Sequence, residues 1–186
     1  MKRIVLTFGL IAGAILGVMM LLTLPFQDRI GYDNGEVIGY TTMVLAFLLI
    51  FFGIRSFRDN VAGGTVSFGR ALAVGLQIVV IASACYVATW EVIYYKITPD
   101  FTTKYATRVL AKARADGASE QELAKKKAQL DQFAELYKNP VINVGMTFLE
   151  PLPVGIVIAL VSAGVLSRRR KQQAADAIIS GARAST

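Results

Sequence analysis

The chain has 186 residues, 54% of them hydrophobic, with a formal net charge of +7, no histidine and one cysteine. One cysteine excludes an intrachain disulfide, and the lack of histidine removes the commonest general base and metal ligand. The basic residues sit at the ends of apolar runs or among acids, without zinc-finger spacing or an aromatic–basic platform. They therefore point to anionic lipid headgroups, worth about 1 kcal/mol per basic residue near the surface, and not to nucleic acid.

The first element is an uncharged run, Ile4 to Leu24. A helix needs about twenty residues to cross a hydrocarbon core of roughly 30 Å, so a span is predicted over 4–25. Lys2 and Arg3 ahead of it would suit a secretion signal. The run is longer than the usual h-region, and no A-x-A-like site follows "TLPFQDR", so a retained span is expected. Gly9, Gly13 and Gly17 share one helical face, a spacing that lets another helix approach closely. Packing within the chain is the plain reading of that face, and a dedicated dimer interface the sharper one. Pro25 ends the helix, and "QDRIGYDNG" reads as a turn-rich loop.

The second span, 37–54, is mostly Leu, Ile, Phe and Val and is expected to face lipid. "RSFRDNVAGGTVSFGR" follows, with Arg55, Arg58, Arg70 and the pair Gly63-Gly64, and reads as a polar connector at the membrane surface. The third span, 71–95, ends in Trp90, Tyr94 and Tyr95, whose amphipathic rings suit headgroup depth. Gln77 is its one deep amide and is expected to hydrogen-bond between helices.

A charged segment, 98–139, separates the third and fourth spans. Phe101, Tyr105, Val109 and Leu110 share a helical face, and Asp116-Gly117 supplies a stop. Ser119 with Glu122 fits a capping box, and Leu123, Leu130, Phe133 and Tyr137 recur at helical spacing. The segment reads as an αα-hairpin outside the membrane. The fourth span, 147–167, runs into Arg168, Arg169 and Arg170, which serve as interface anchors, and a tail over 172–186 reads as a short frayed helix. The fold class is thus all-α: a single membrane domain, 1–171, made of a four-helix bundle with the hairpin inserted between helices three and four.

The fourth span opens on "FLEPLP", with Glu150 between apolar runs. A proline disfavours helix in the residue before it and suits the first helical position, so a regular helix restarting at Pro151 is expected. Glu150 would then sit at a helix N-terminus, where a carboxylate is favoured. The sharper reading starts from depth: Glu91 and Glu150 lie at a similar level near one interface, and ionisable residues in spans often mark ion or proton pathways. Two such carboxylates could share a proton or bind a cation.

Orientation follows from position and not from number, since ten Lys and Arg fall on each side. Lys2, Arg3, Arg55, Arg58, Arg70 and Arg168 to Lys171 hug span ends, whereas on the other side only Arg29, Lys96 and Lys138 do. Both termini are therefore expected in the cytoplasm.

The pattern "SFGRALAVGLQIVVIASACYVATWEVIYYKITPDF", a charged helical insert and "FLEPLPVGIVIALVSAGVLSRRR" resembles a bacterial membrane-protein family catalogued as a domain of unknown function, number 4199. The resemblance covers roughly residues 4 to 170. It implies a four-helix protein of the bacterial inner membrane and brings no activity, cofactor or partner with it.

Catalysis is not expected, and no cofactor or metal is called for: Cys85 lies deep in an apolar helix without a basic neighbour on its face. The leading reading is a non-enzymatic structural or accessory membrane subunit acting through helix packing, with itself or with another membrane protein. The alternative is a small oligomeric ion- or proton-coupled carrier or channel using Glu91 and Glu150.

Overall fold

The computed structural model describes residues 1–26 and 32–167, and is helical apart from short connections. Helix α1, Lys2–Thr23, runs into a 3-10 turn, Leu24–Phe26, that carries the chain through Pro25. Helix α2, Tyr32–Asn60, is longer than the uncharged run inside it. It includes residues 32–35, predicted as loop, and continues past Ile54, since no proline interrupts it. Its last turn carries an i,i+4 pair in which Arg55 Nε lies 3.6 Å from Asp59.

The connector 61–67 turns on Gly63 and Gly64, at φ of +68° and +86°, a region that favours glycine. The Gly64 amide donates to the Arg58 carbonyl at 2.9 Å. The connector is only partly the polar surface strip expected, because its Val66 is 2% exposed and belongs to the core. Helix α3, Phe68–Val92, widens into a π-helical turn, Ile93–Ile97, closed by the Thr98 amide donating to the Ile93 carbonyl at 2.8 Å. Pro99 follows and disfavours helical geometry at Thr98, whose ψ of 65° is already outside it.

Helices α4, Phe101–Ala115, and α5, Glu120–Tyr137, pack on each other across a short turn. Gly117 stands at φ +87°, its amide bonded to the Arg114 carbonyl while the Ala118 amide reaches the Ala113 carbonyl. That is the Schellman pattern of helix termination. The capping box read from Ser119 and Glu122 is formed in both directions. Helix α6, Pro140–Leu149, starts with Asn139 accepting the Val141 amide at 3.0 Å and with proline at its first position. The chain turns at 150–151 and resumes as α7 over 152–167.

Four segments are long and apolar enough to cross a bilayer: Lys2–Phe26, Asn34–Asn60, Phe68–Ile97 and Pro140–Ser167. At 25 to 30 residues they exceed the minimum of about twenty, which allows for tilt or for ends in the headgroup layer. The protein is a multi-pass membrane protein.

The described residues divide into two compact units, one of those within Met1–Tyr86 together with 150–167, the other of Val87–Leu149. In the first unit α3 is central. A Cβ at Gly9 would stand 2.8 Å from the Ile81 side chain, and one at Gly13 2.5 Å from Cys85 Cβ, so α1 lies directly on α3. A Cβ at Gly75 would meet Ala159 at 3.0 Å, and one at Gly155 would meet Val79 at 2.7 Å, so α7 lies on it too. Phe47, Ile50, Ile54 and Phe57 of α2 complete the core with at most 1% exposure.

The second unit is held by rings. Trp90 meets Phe101 edge-on at 4.8 Å, Tyr94 meets Tyr137 at 5.4 Å, and Phe133 stacks on Tyr137 at 5.0 Å. Such pairs contribute about 0.5–1.5 kcal/mol each beyond their buried area.

Candidate functional site

Two groups of polar side chains occur where the spans meet less apolar structure, one in each unit. In the first unit the break between α6 and α7 leaves Glu150 at the start of the final helical stretch. Its Oε2 accepts the Tyr86 hydroxyl at 3.0 Å. Backbone amides therefore do not satisfy this oxygen; a phenol on α3 does. Pro153, three residues after Glu150, has no N–H and so removes one of the amides that a cap would use. The pair lies at the surface of the unit, with Glu150 exposed and Tyr86 half-buried.

Arg58 sits in the same unit at the other end of α2. It is 5% exposed, and its Nε donates to Asp59 Oδ1 at 2.6 Å. Arg70 places its guanidinium over the Phe57 ring, 5.4 Å from the centroid, within the range of a cation–π contact.

In the second unit a row of polar groups lies among the rings. The Tyr137 hydroxyl and Thr147 Oγ1 are 3.1 Å apart, and the Thr147 hydroxyl donates to Asn143 Oδ1 at 3.4 Å. Asn143 is fully buried, and its Nδ2 finds no acceptor among the described residues. Trp90 Nε1 and Glu91 Oε1 are likewise buried without a partner.

The residues singled out from the sequence distribute as follows. Glu150 belongs to the first unit and Glu91 to the second. Gln77 is exposed on α3 and makes no hydrogen bond with a described residue. Gly9, Gly13 and Gly17 are buried, the first two against α3. Of the three rings expected at headgroup depth, Tyr95 is exposed at 45%, while Trp90 and Tyr94 turn into the aromatic cluster because α4 and α5 supply rings for them. Arg168, Arg169 and Arg170, with the tail, lie outside the described residues.

Tyr86, Asn143 and Thr147 were not singled out from the sequence, and Tyr137 was read only as part of the apolar face of the hairpin. For Asn143 and Thr147 the signal was available: an i,i+4 polar pair inside the apolar run "VINVGMTFL" is costly unless satisfied. Tyr86 offered none, since only the fold brings residues 86 and 150 together.

Among the described residues no group of three metal-ligating side chains comes together. No curated protein and no solved structure gives a significant match to the chain. A family model matches residues 7–168, nearly the whole of the described chain, and the protein therefore belongs to the family described as "Protein of unknown function (DUF4199)".

Proposed function

We propose that this is a non-enzymatic integral membrane protein of the bacterial inner membrane, a structural or accessory subunit that acts through helix packing. Both termini lie in the cytoplasm, and α4 and α5 form a hairpin outside the membrane. The spans supply a closed scaffold, and the hairpin and lipid-facing surfaces are the parts available to partners.

The observation that carries this reading is the state of the spanning core. Among the described residues, the buried polar side chains of the first unit are Arg58, Ser83 and Ser162, set among tightly packed apolar groups, while Asn143 and Thr147 lie in the second unit's part of the fourth span and bond to each other. A path for ions needs successive polar groups along the bilayer normal, and three side chains dispersed in an apolar core do not make one. Glu150, the carboxylate nearest to a break in a span, is engaged by Tyr86. The orientation is supported by the arginines at the α2–α3 connection, a short loop where positive charge favours the cytoplasmic side.

A second reading, a small oligomeric carrier using Glu91 and Glu150, draws on the unpaired buried atoms of Glu91 and Asn143. One experiment separates the two: the purified protein is reconstituted in proteoliposomes and tested for proton- or cation-coupled flux beside Glu150→Gln. The accessory reading expects no flux above protein-free vesicles for either protein. A flux abolished by Glu150→Gln replaces it with the carrier.

A further inference from the structure

The spanning helices differ in what they show to lipid. Helix α1 exposes Leu6, Leu10, Val18 and Leu22, and α7 exposes Val157, Leu160, Val161 and Val165. Helix α2 likewise presents Val44, Leu45, Leu48 and Phe52. These bulky aliphatic and aromatic surfaces match acyl chains.

The outward face of α3 is different. Gly69, Ala73, Gln77, Val80 and Ala84 are all exposed, and their spacings of four, four, three and four place them in one stripe along the helix. The opposite side of α3 is already occupied, by α1 through Ile81 and Cys85 and by α7 through Gly75 and Val79. The small residues on the free face are thus not needed for packing within the chain.

Gln77 stands in the middle of that face. It lies seven residues beyond Arg70, or about 10 Å along the helix, which places it inside the hydrocarbon and not in the headgroup layer. Its amide has no hydrogen-bond partner among the described residues. A carboxamide left to acyl chains keeps its donors and its acceptor unsatisfied, and the bilayer has no water to serve them. The group that covers Gln77 must therefore both donate and accept.

We propose that this face is a self-association surface and that its occupant is a second copy of the chain. A carboxamide is its own complement: across a two-fold axis the N–H of each Gln77 donates to the Oε1 of the other. The flanking glycine and alanines allow the two α3 backbones to come close enough for those bonds, as small residues do at membrane helix contacts. A two-fold contact uses the same patch on both copies, which a single stripe centred on one amide provides. The glycine face of α1 does not compete for this role, because Gly9 and Gly13 are spent on α3. The proposal rests on the packing role described above and names the partner for one of its surfaces.

The test uses the full chain in vesicles of a bacterial polar lipid extract. Donor- and acceptor-labelled copies are mixed, and energy transfer is followed as the protein-to-lipid ratio is lowered. The wild type is expected to show a dimer, and Gln77→Leu to weaken it about tenfold, the value of two interhelical hydrogen bonds of somewhat under 1 kcal/mol each. In membranes Ala73→Cys is expected to form an oxidative cross-link between two copies. Leu48→Cys on the aliphatic face of α2 and the native Cys85, half-buried against Gly13, are expected not to. All changed positions are exposed, so each variant keeps its core. A monomer at every density overturns the proposal, as does a dimer indifferent to Gln77→Leu. Cross-linking of Ala73→Cys to a different membrane protein also overturns it, while leaving the accessory role standing. Loss of the accessory role itself is read separately, from flux in the proteoliposome experiment.

Discussion

Gly13→Ala isolates the contact on which the α1–α3 seam depends. The added methyl would lie 2.5 Å from Cys85 Cβ and 2.9 Å from its Sγ, with the Ala82 Cα at 3.4 Å. Carbon contacts are optimal at about 3.5–4.0 Å, so the two helices must separate by roughly 1 Å at this level. Neither obstructing atom is the far end of a long side chain, and rotation relieves at most the sulfur. Overpacking of this kind costs about 1–3 kcal/mol. Against it stands the better helix propensity of alanine, about 1 kcal/mol in an exposed helix interior. The steric term is the larger over nearly all of its range, and the net loss is expected at up to about 2 kcal/mol. Gly164→Ala is the control, because a Cβ there meets nothing within 4 Å, and it should be neutral or slightly stabilising. The assay is reversible unfolding in mixed micelles with increasing denaturing detergent, followed by Trp90 fluorescence and far-ultraviolet dichroism. Adding Cys85→Gly to Gly13→Ala removes both clashing atoms and should recover part of the loss. Equal stability of the Gly13 and Gly164 variants would refute the account of the seam.

Two further outcomes concern α4 and α5. Gly117 holds φ +87°, so Gly117→Ala should destabilise the turn by about 1 kcal/mol, read as faster amide exchange at Gly117 and Ala118 with little change in the spans. The Ser119 amide and hydroxyl hold the Glu122 carboxyl below its usual range. Because the folded value is depressed, the stability it contributes is present above the ordinary range near pH 4 and is lost as pH falls through the folded value. Amide exchange at the start of α5 should therefore accelerate beyond the intrinsic rate as pH falls below about 4, and Glu122→Gln should flatten most of that dependence.

Much of this molecule was legible in the sequence for a physical reason: its strongest signals are local. A span is written in about twenty consecutive residues, and the stop at Gly117, the Ser119–Glu122 box and the break at Pro151 each need only a few neighbours. Tertiary structure decided the lateral arrangement. Apolar helices in a bilayer look alike on every side, so hydropathy does not say that Gly9 and Gly13 meet Ile81 and Cys85. Nor does it say that Trp90 and Tyr94 find rings of α4 and α5 while Tyr95 stays outside. The partner of Glu150 lies 64 positions away at Tyr86, a separation over which no periodicity carries information. Gln77 shows the division most plainly. Its cost in a span is evident from residue type alone, but its place on an outward face of small residues follows only once α1, α2 and α7 have taken the other sides of α3.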